Sequence, residues 1–97
     1  MKGYWVILGT KITDQAAQHE YNRLWAPIAE KYQARLHPTK LPPLLKEARN
    51  TARVVFVEFP SYEAAKACYD DPAYLHAKGF AVRASERDLL IFEGEIS

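Results

Sequence analysis

The stretch Arg53-Val54-Val55-Phe56-Val57-Glu58-Phe59 most limits how this chain can fold. Its β-branched and aromatic residues are typical of a strand, in which alternate side chains point to opposite faces of a sheet. Val55 and Val57 therefore share one face, while Val54 and Phe56 share the other. Both faces are apolar, whereas an antiparallel sheet with helices on one side normally exposes a polar second face. The pattern predicts that helices cover one face of the sheet and that another protein surface covers the other face.

Two further stretches, residues 4–8 and 89–92, have a similar composition; Gly3 and Gly9 flank the first and Gly94 follows the second, as expected of strands. Residues 34–37 are a weaker candidate for an additional strand. Leu41-Pro42-Pro43 cannot lie inside a sheet, because proline lacks the N–H group that strand pairing needs. We therefore expect four strands, with a loop or a sheet edge near these prolines.

Apolar residues at helical spacing predict a first helix that begins near Thr13 or Asp14, either of which can cap its free N–H groups. Its buried face is expected to carry Ala17, Tyr21, Leu24, Ile28 and Tyr32. Pro27 interrupts this pattern, because proline cannot donate a hydrogen bond to the preceding turn. We expect either a kink there or two helical pieces that meet at Ala26.

A second helix is expected to begin at Ser61, whose hydroxyl can cap it, and to end at Asp70. Asp71 can cap a further helix with Pro72 at its first position, which runs toward Ser85. The predicted order is strand, helix, strand, strand, helix, strand, which is the βαββαβ pattern of ferredoxin-like α+β domains with an antiparallel sheet. The exposed apolar sheet face then predicts a homodimer in which two sheets pack face to face.

Composition limits the classes of function. The chain has 97 residues, which predicts one domain over residues 1–97, and its 13 Lys+Arg against 12 Asp+Glu argue against nucleic-acid or acidic-membrane partners. The single Cys68 cannot form an internal disulfide, and the apolar run at residues 4–8 is too short to cross a membrane, so we expect a cytoplasmic protein. Histidines at metal-binding spacing and a glycine-rich phosphate loop are both missing from the sequence, so we expect no metal and no cofactor.

The strand at residues 53–59 and the helix after it resemble part of an RNA-recognition motif, which has the same order of elements. That module stacks bases on exposed aromatic rings. Here Val54 occupies one of the two stacking positions, and Arg53 stands where the motif has glycine. Half of the stacking platform is therefore missing, and nucleic acid is not expected as a partner.

Several polar residues are candidates for chemistry. Glu58 shares a strand face with apolar residues, and a buried carboxylate requires a partner, for which the sequence offers Arg83, Arg53 and Arg49. The resulting ion pair either holds the fold or dimer together or serves as a general base or anion clamp. His37 is the candidate for proton transfer near neutral pH, with a solvated surface histidine as the alternative. The cysteine at position 68 is expected to be a small buried side chain without reactivity.

A resemblance covers nearly the whole chain. The segments that carry it are Met1-Lys2-Gly3-Tyr4-Trp5, Glu20-Tyr21, Lys31-Tyr32, residues 57–65, Tyr69, Asp71-Pro72-Ala73-Tyr74, Ala77-Lys78, Arg83, and Asp88-Leu89 to Glu93-Gly94. In their order and spacing they resemble the DUF1330 family, whose function is not established. The resemblance implies a dimeric α+β barrel, and it favours Tyr21 and Tyr74 as ligand-binding residues because each lies in one of these segments. The family's glycines after the first helix are missing here, and Cys68-Tyr69 replaces its frequent Trp-Tyr, so the resemblance implies no particular ligand.

Two hypotheses follow. In the first, a cytoplasmic homodimer binds a small organic acid or aromatic metabolite between sheet and helices, or transforms it without a cofactor. Arg83 then binds the anion, Tyr21 and Tyr74 contact the ligand, and His37 or Glu58 acts as acid or base. In the second, the protein is a non-catalytic ligand-binding or structural dimerisation module. A cavity of roughly 300 Å³ or more, reached by Arg83 together with His37 or Glu58, would favour the first.

Overall fold

A computed structural model describes residues 1–37 and 43–95. Its elements in chain order are β1 (Lys2–Gly9), α1 (Gln15–Lys31), β2 (Arg35–Leu36), β3 (Arg53–Phe59), α2 (Tyr62–Asp70), α3 (Pro72–Ala84) and β4 (Arg87–Gly94). This order confirms the ferredoxin-like α+β prediction, with two consecutive helices between β3 and β4. Leu41 and Pro42, expected at a loop or edge, lie outside the described residues, and Pro43 lies in no strand.

The four strands form one antiparallel sheet with the order β2-β3-β1-β4. Strand β1 is central and pairs along its length with both β3 and β4, so that Trp5 lies between Val57 and Ile91. The short β2 pairs only with the far end of β3, where Arg35 lies opposite Glu58. Long neighbours on both sides fix the register of β1, which carries the largest buried side chain, Trp5.

Helix caps follow the sequence predictions. The Asp14 carboxylate caps the start of α1 by accepting a hydrogen bond from the Ala17 amide. The Ser61 hydroxyl caps the start of α2 in the same way. Helix α1 continues through Pro27 without a break, so the expectation of two pieces is wrong. The Asp71 carboxylate begins α3 and also accepts hydrogen bonds from the side chains of Tyr32 and Lys31. Within the described residues, no helix is long and apolar enough to cross a membrane.

The sheet has one covered and one open face. On the covered face the Trp5 ring lies 5.5 Å from that of Trp25 and 5.0 Å from that of Tyr74, and its indole N–H donates to the carbonyl of Ala65. These contacts join β1 to all three helices. Alternation along the strands places a second apolar set on the other face, which we call the open face: Val6, Leu8, Val54, Phe56, Leu90 and Phe92. Of these, Phe56 is 37% exposed and Leu90 is 51% exposed.

Candidate functional site

A cavity of about 150 Å³ lies between the covered face of the sheet and α1. Its apolar side is formed mainly by Trp5, Ile7, Trp25, Val55 and Val57, with Leu36 from β2. Its polar side is formed by Gln18, Tyr21, Asn22, Arg53, Ser85 and Arg87. The four α1 residues lie on one face of the helix because they follow each other at spacings of three, one and three. We call this space the central cavity.

Two arginines face the central cavity. Arg53 donates from Nε to the carbonyl of Thr10 at 3.0 Å and from Nη2 to the Ser85 hydroxyl at 3.0 Å. Arg87 donates from Nη2 to the Tyr74 hydroxyl at 2.5 Å. Neither guanidinium forms an ion pair with a carboxylate in residues 1–37 and 43–95. Both positive charges are thus held by neutral oxygens alone.

The guanidinium of Arg87 acts on that of Arg53. Burial lowers the pKa of Arg53, and the positive charge of Arg87 lowers it further. An arginine nevertheless stays protonated at neutral pH, because its ordinary pKa is above about 12. The central cavity therefore contains two like charges whose repulsion a bound anion would relieve.

A pair of phenols lies beside Arg87. The hydroxyl oxygens of Tyr21 and Tyr74 are 3.2 Å apart, and the Arg87 guanidinium lies 5.0 Å from the centre of the Tyr21 ring. Tyr74 is completely buried, and burial, followed by the neighbouring Tyr21, raises the pKa of its hydroxyl well above the ordinary value. Tyr21 lines the central cavity, whereas Tyr74 lies behind it. The structure thus brings together the two tyrosines that the sequence singled out.

Glu58 and His37 meet on the open face. His37 Nε2 lies 3.3 Å from Glu58 Oε1, while Lys2 Nζ and Arg35 Nη1 lie 3.4 and 3.9 Å from Oε2. Burial raises the pKa of the Glu58 carboxyl, but Lys2, His37 and Arg35 together outweigh this effect and leave the pKa below its ordinary value. The carboxylate is buried as predicted, and its charge is balanced within the chain.

The partners expected for Glu58 were wrong. The sequence offered Arg83, Arg53 and Arg49, but the cations around the carboxylate are Lys2 and Arg35, together with His37. Arg53 lies five positions before Glu58 in the same strand, and this odd spacing places the two side chains on opposite faces. Arg35 reaches the carboxylate because β2 pairs with β3 in the register that puts it directly opposite.

Arg83 lies apart from both groups. It is exposed on α3, with its guanidinium 4.5 Å from the centre of the Phe80 ring, and it borders a separate surface depression with Asp14. None of Arg83, His37 and Glu58 borders the central cavity. The structure therefore does not bring these three predicted residues together at one cavity.

Sequence reasoning missed Arg87 and Ser85 as cavity residues. A signal for Arg87 was present, because Arg87, Leu89 and Ile91 alternate with period two and so share the covered face of β4. The predicted strand began at Leu89, whereas β4 begins at Arg87. Ser85 had no such signal, because it caps the end of α3 and reaches the cavity only through the turn into β4.

The remaining candidates carry no reactive arrangement. Cys68 is buried, and this burial, followed by the negative charge of Asp71, raises the pKa of its thiol to about 12. A thiol with such a pKa is almost entirely protonated at neutral pH and is a weak nucleophile. In the part of the chain that the structure describes, no three His, Cys, Asp or Glu side chains are grouped so that they could hold a metal ion.

Comparison with known families shows to which family this chain belongs. The profile described as "Domain of unknown function (DUF1330)" matches residues 2–95. The chain belongs to this family. No curated protein matches the chain.

Solved structures support the same fold for this DUF1330 member. The protein of unknown function RPA0582 from Rhodopseudomonas palustris has a TM-score of 0.72 at 16% identity, over 99% of this chain and 84% of that one. A dimeric ferredoxin-like protein of unknown function from Jannaschia sp. CCS1 has a TM-score of 0.65 at 14% identity, over 97% of this chain and 100% of that one. SnoaB, a cofactor-independent oxygenase from Streptomyces nogalater, has a TM-score of 0.60 at 14% identity, over 99% and 95%. At these identities the likeness concerns the fold alone.

Proposed function

We propose that this DUF1330 protein is a cytoplasmic homodimer that binds a small organic acid in the central cavity, with Arg53 and Arg87 facing the carboxylate. One observation carries the proposal: two arginines border one cavity, and neither has a carboxylate partner among the described residues. Hydrogen bonds between a guanidinium and a carboxylate are about twice as strong as those between neutral groups. An anion at this position satisfies both cations at once.

The size and lining of the central cavity narrow the ligand. An apolar cavity of about 150 Å³ in another protein holds benzene, so a space of this volume accepts roughly six to ten non-hydrogen atoms. Trp5, Trp25 and Val57 form an apolar wall opposite the arginines. The ligand that fits is therefore an acid with a short aliphatic or aromatic part, buried against the indole rings.

The homodimer is proposed from the open face. Phe56, Leu90 and their apolar neighbours form a continuous surface on the side of the sheet that none of the described helices covers. Exposed apolar surfaces of this kind mark interaction sites, and an identical sheet is a complementary partner by symmetry. The relative from Jannaschia, described as dimeric, supports this proposal.

Catalysis by His37 or Glu58, and anion binding by Arg83, stay predictions that the ligand proposal does not require. Glu58 and His37 lie on the open face, on the other side of the sheet from the central cavity, and Arg83 lies on the outer surface of α3. The volume of the central cavity, about 150 Å³, and its lining without these three residues both fall short of the criterion for the first hypothesis, so they support a ligand-binding module without chemistry.

The test compares two ligands of nearly equal shape. Propionate and propionamide are titrated against the protein, and binding is followed by the fluorescence of Trp5 and Trp25, the two tryptophans of the chain. We expect saturable binding of propionate and none of propionamide over the same range, because only the acid carries a charge. Arg87→Met should weaken propionate binding at least about tenfold, since a hydrogen bond to a charged group is lost.

Arg83→Met is the matched control, because it removes an equally charged side chain outside the central cavity. It should leave propionate binding unchanged. Equal binding of acid and amide, or a loss of binding in Arg83→Met but not in Arg87→Met, would overturn the assignment. The melting temperature of each variant without ligand separates a binding defect from a folding defect, and Arg53→Met provides a second variant of the site.

A further inference from the structure

We infer that the acid bound in the central cavity carries a carbonyl oxygen next to its carboxylate, as 2-oxo acids do, and that Tyr21 donates a hydrogen bond to that oxygen. This inference rests on the proposed function and specifies its ligand. It follows from the direction of the hydrogen bonds between Arg87, Tyr74 and Tyr21.

The direction begins at Arg87. A guanidinium can only donate hydrogen bonds, so the Tyr74 hydroxyl oxygen accepts from Arg87 Nη2 at 2.5 Å. Tyr74 is completely buried, and its own proton also needs an acceptor. The other oxygen in contact with the Tyr74 hydroxyl, among the residues described, is that of Tyr21 at 3.2 Å. Tyr74 therefore donates to Tyr21.

With this direction, the hydroxyl proton of Tyr21 has no acceptor within the pair. Since the Tyr21 oxygen accepts from Tyr74, the Tyr21 O–H is not used within the pair. The Arg87 guanidinium also contacts the Tyr21 hydroxyl, but it can only donate, so it offers no acceptor for the Tyr21 proton. Tyr21 borders the central cavity, so a ligand oxygen there is the partner available to its proton. If Tyr21 donated to Tyr74 instead, the proton of the buried Tyr74 hydroxyl would lack an acceptor.

The ligand class follows from what the cavity offers. Arg53, Arg87 and Tyr21 are all donors, and they border the same small space. The Arg87 guanidinium lies beside the Tyr21 ring, and the two side chains contact the same oxygen of Tyr74, so their free donors are neighbours. A carboxylate with an adjacent carbonyl presents neighbouring oxygens that only accept, which matches these three neighbouring donors.

Pyruvate and propionate test the inference, because they differ only in the carbonyl group. Calorimetric titration of the wild-type protein should show pyruvate binding about tenfold more tightly than propionate, the effect of one additional buried hydrogen bond. In Tyr21→Phe, the ratio of the two affinities should fall to within about twofold, whatever the change in the affinity for propionate itself. Tyr62→Phe, which alters a tyrosine of α2 outside the central cavity, is the matched control and should keep the preference.

Equal binding of the two acids by the wild-type protein would overturn the inference, and so would a preference that survives in Tyr21→Phe. Either result leaves the proposed function standing if propionate binding still depends on Arg87. Failure of both acids to bind would instead overturn the proposed function itself. If Tyr21→Phe does not fold, 2-oxobutanoate and butyrate repeat the comparison on the wild-type protein and decide the ligand class.

Discussion

The two faces of the sheet carry charge in opposite arrangements. On the covered face Arg53 and Arg87 border a cavity, and no carboxylate among the described residues pairs with either. On the open face one carboxylate, that of Glu58, is surrounded by cationic or ionisable side chains from β1 and from the segment around β2. The charges around Glu58 are balanced within the chain, whereas the two arginines have no counter-ion in the part of the chain that the structure describes.

This difference separates structural from ligand-binding charge. A buried charge that is already paired contributes to the fold and offers little to a ligand, because binding would first have to break the pair. Half-buried cations held only by neutral oxygens keep most of their capacity to attract an anion. Glu58, the buried acid that stands out in the sequence, is a paired structural charge. Arg53 and Arg87 are charges of the second kind, held only by neutral oxygens.

The largest expected effect comes from displacing helix α2 on the covered face of the sheet. A Cβ atom at Gly3 would lie 2.6 Å from Tyr62 Cα and 2.7 Å from the Ser61 carbonyl oxygen, so Gly3→Ala must push the start of α2 away from β1. We expect the free energy of unfolding to fall by about 3 kcal/mol, as for overpacked cores. The melting temperature, measured by calorimetry, should fall by roughly 10–20 °C.

Gly79→Ala is the matched control for this change. A Cβ atom at Gly79 has no other atom within 4 Å, and alanine favours a helix over glycine by about 1 kcal/mol. This variant should therefore be slightly more stable than the wild-type protein. Equal melting temperatures for the Gly3 and Gly79 variants would contradict the close packing of α2 on β1.

The open face is tested by placing a charge on it. Leu90→Glu puts a carboxylate into the proposed contact between two sheets, where it has no designated partner, and burial of an unpaired charge costs several kcal/mol. Sedimentation velocity should show dimerisation weakened at least about 100-fold. Val82→Glu, at an exposed apolar position of α3, is the control and should leave the dimer intact. A wild-type monomer at micromolar concentration would contradict the dimer.

Much of the fold was predictable because it depends on local signals. The strand at residues 53–59 and the caps Asp14, Ser61 and Asp71 were each predicted at the positions where the structure has them. Capping depends on a side chain and a backbone amide two or three residues later, and strand faces depend on alternation. Both relations can be seen in a single stretch of sequence.

The site was less predictable because it depends on how distant segments meet. Tyr21 and Tyr74 are 53 positions apart and were favoured by family resemblance, not by any local pattern. Arg87 escaped notice because the predicted last strand began two residues too late. The contact between His37 and Glu58 depends on the register of β2, which two residues of strand cannot indicate in the sequence.

The smallest expected effect concerns the balanced charge on the open face. The folded pKa of Glu58 lies below its unfolded value, so its ionised form contributes stability above the unfolded pKa, and this contribution is lost as the pH falls through the folded pKa. Glu58→Gln removes the carboxylate and leaves Lys2, Arg35 and His37 without a counter-ion. Its melting temperature should therefore lie below that of the wild-type protein at pH 7, and the gap should narrow as the pH falls from 5 toward 3.

Glu63→Gln is the control, because Glu63 is exposed on α2 and forms an ion pair of 3.4 Å with Lys66. Exposed pairs of this kind contribute little to stability. A gap between Glu58→Gln and the wild-type protein that stays constant with pH would show that the carboxylate acts through packing and not through its charge. Propionate binding in Glu58→Gln should equal that of the wild-type protein, because Glu58 lies on the opposite face from Arg53 and Arg87. A change in that affinity would mean that the two faces are coupled through the sheet, and the separation of structural from ligand-binding charge would then fail.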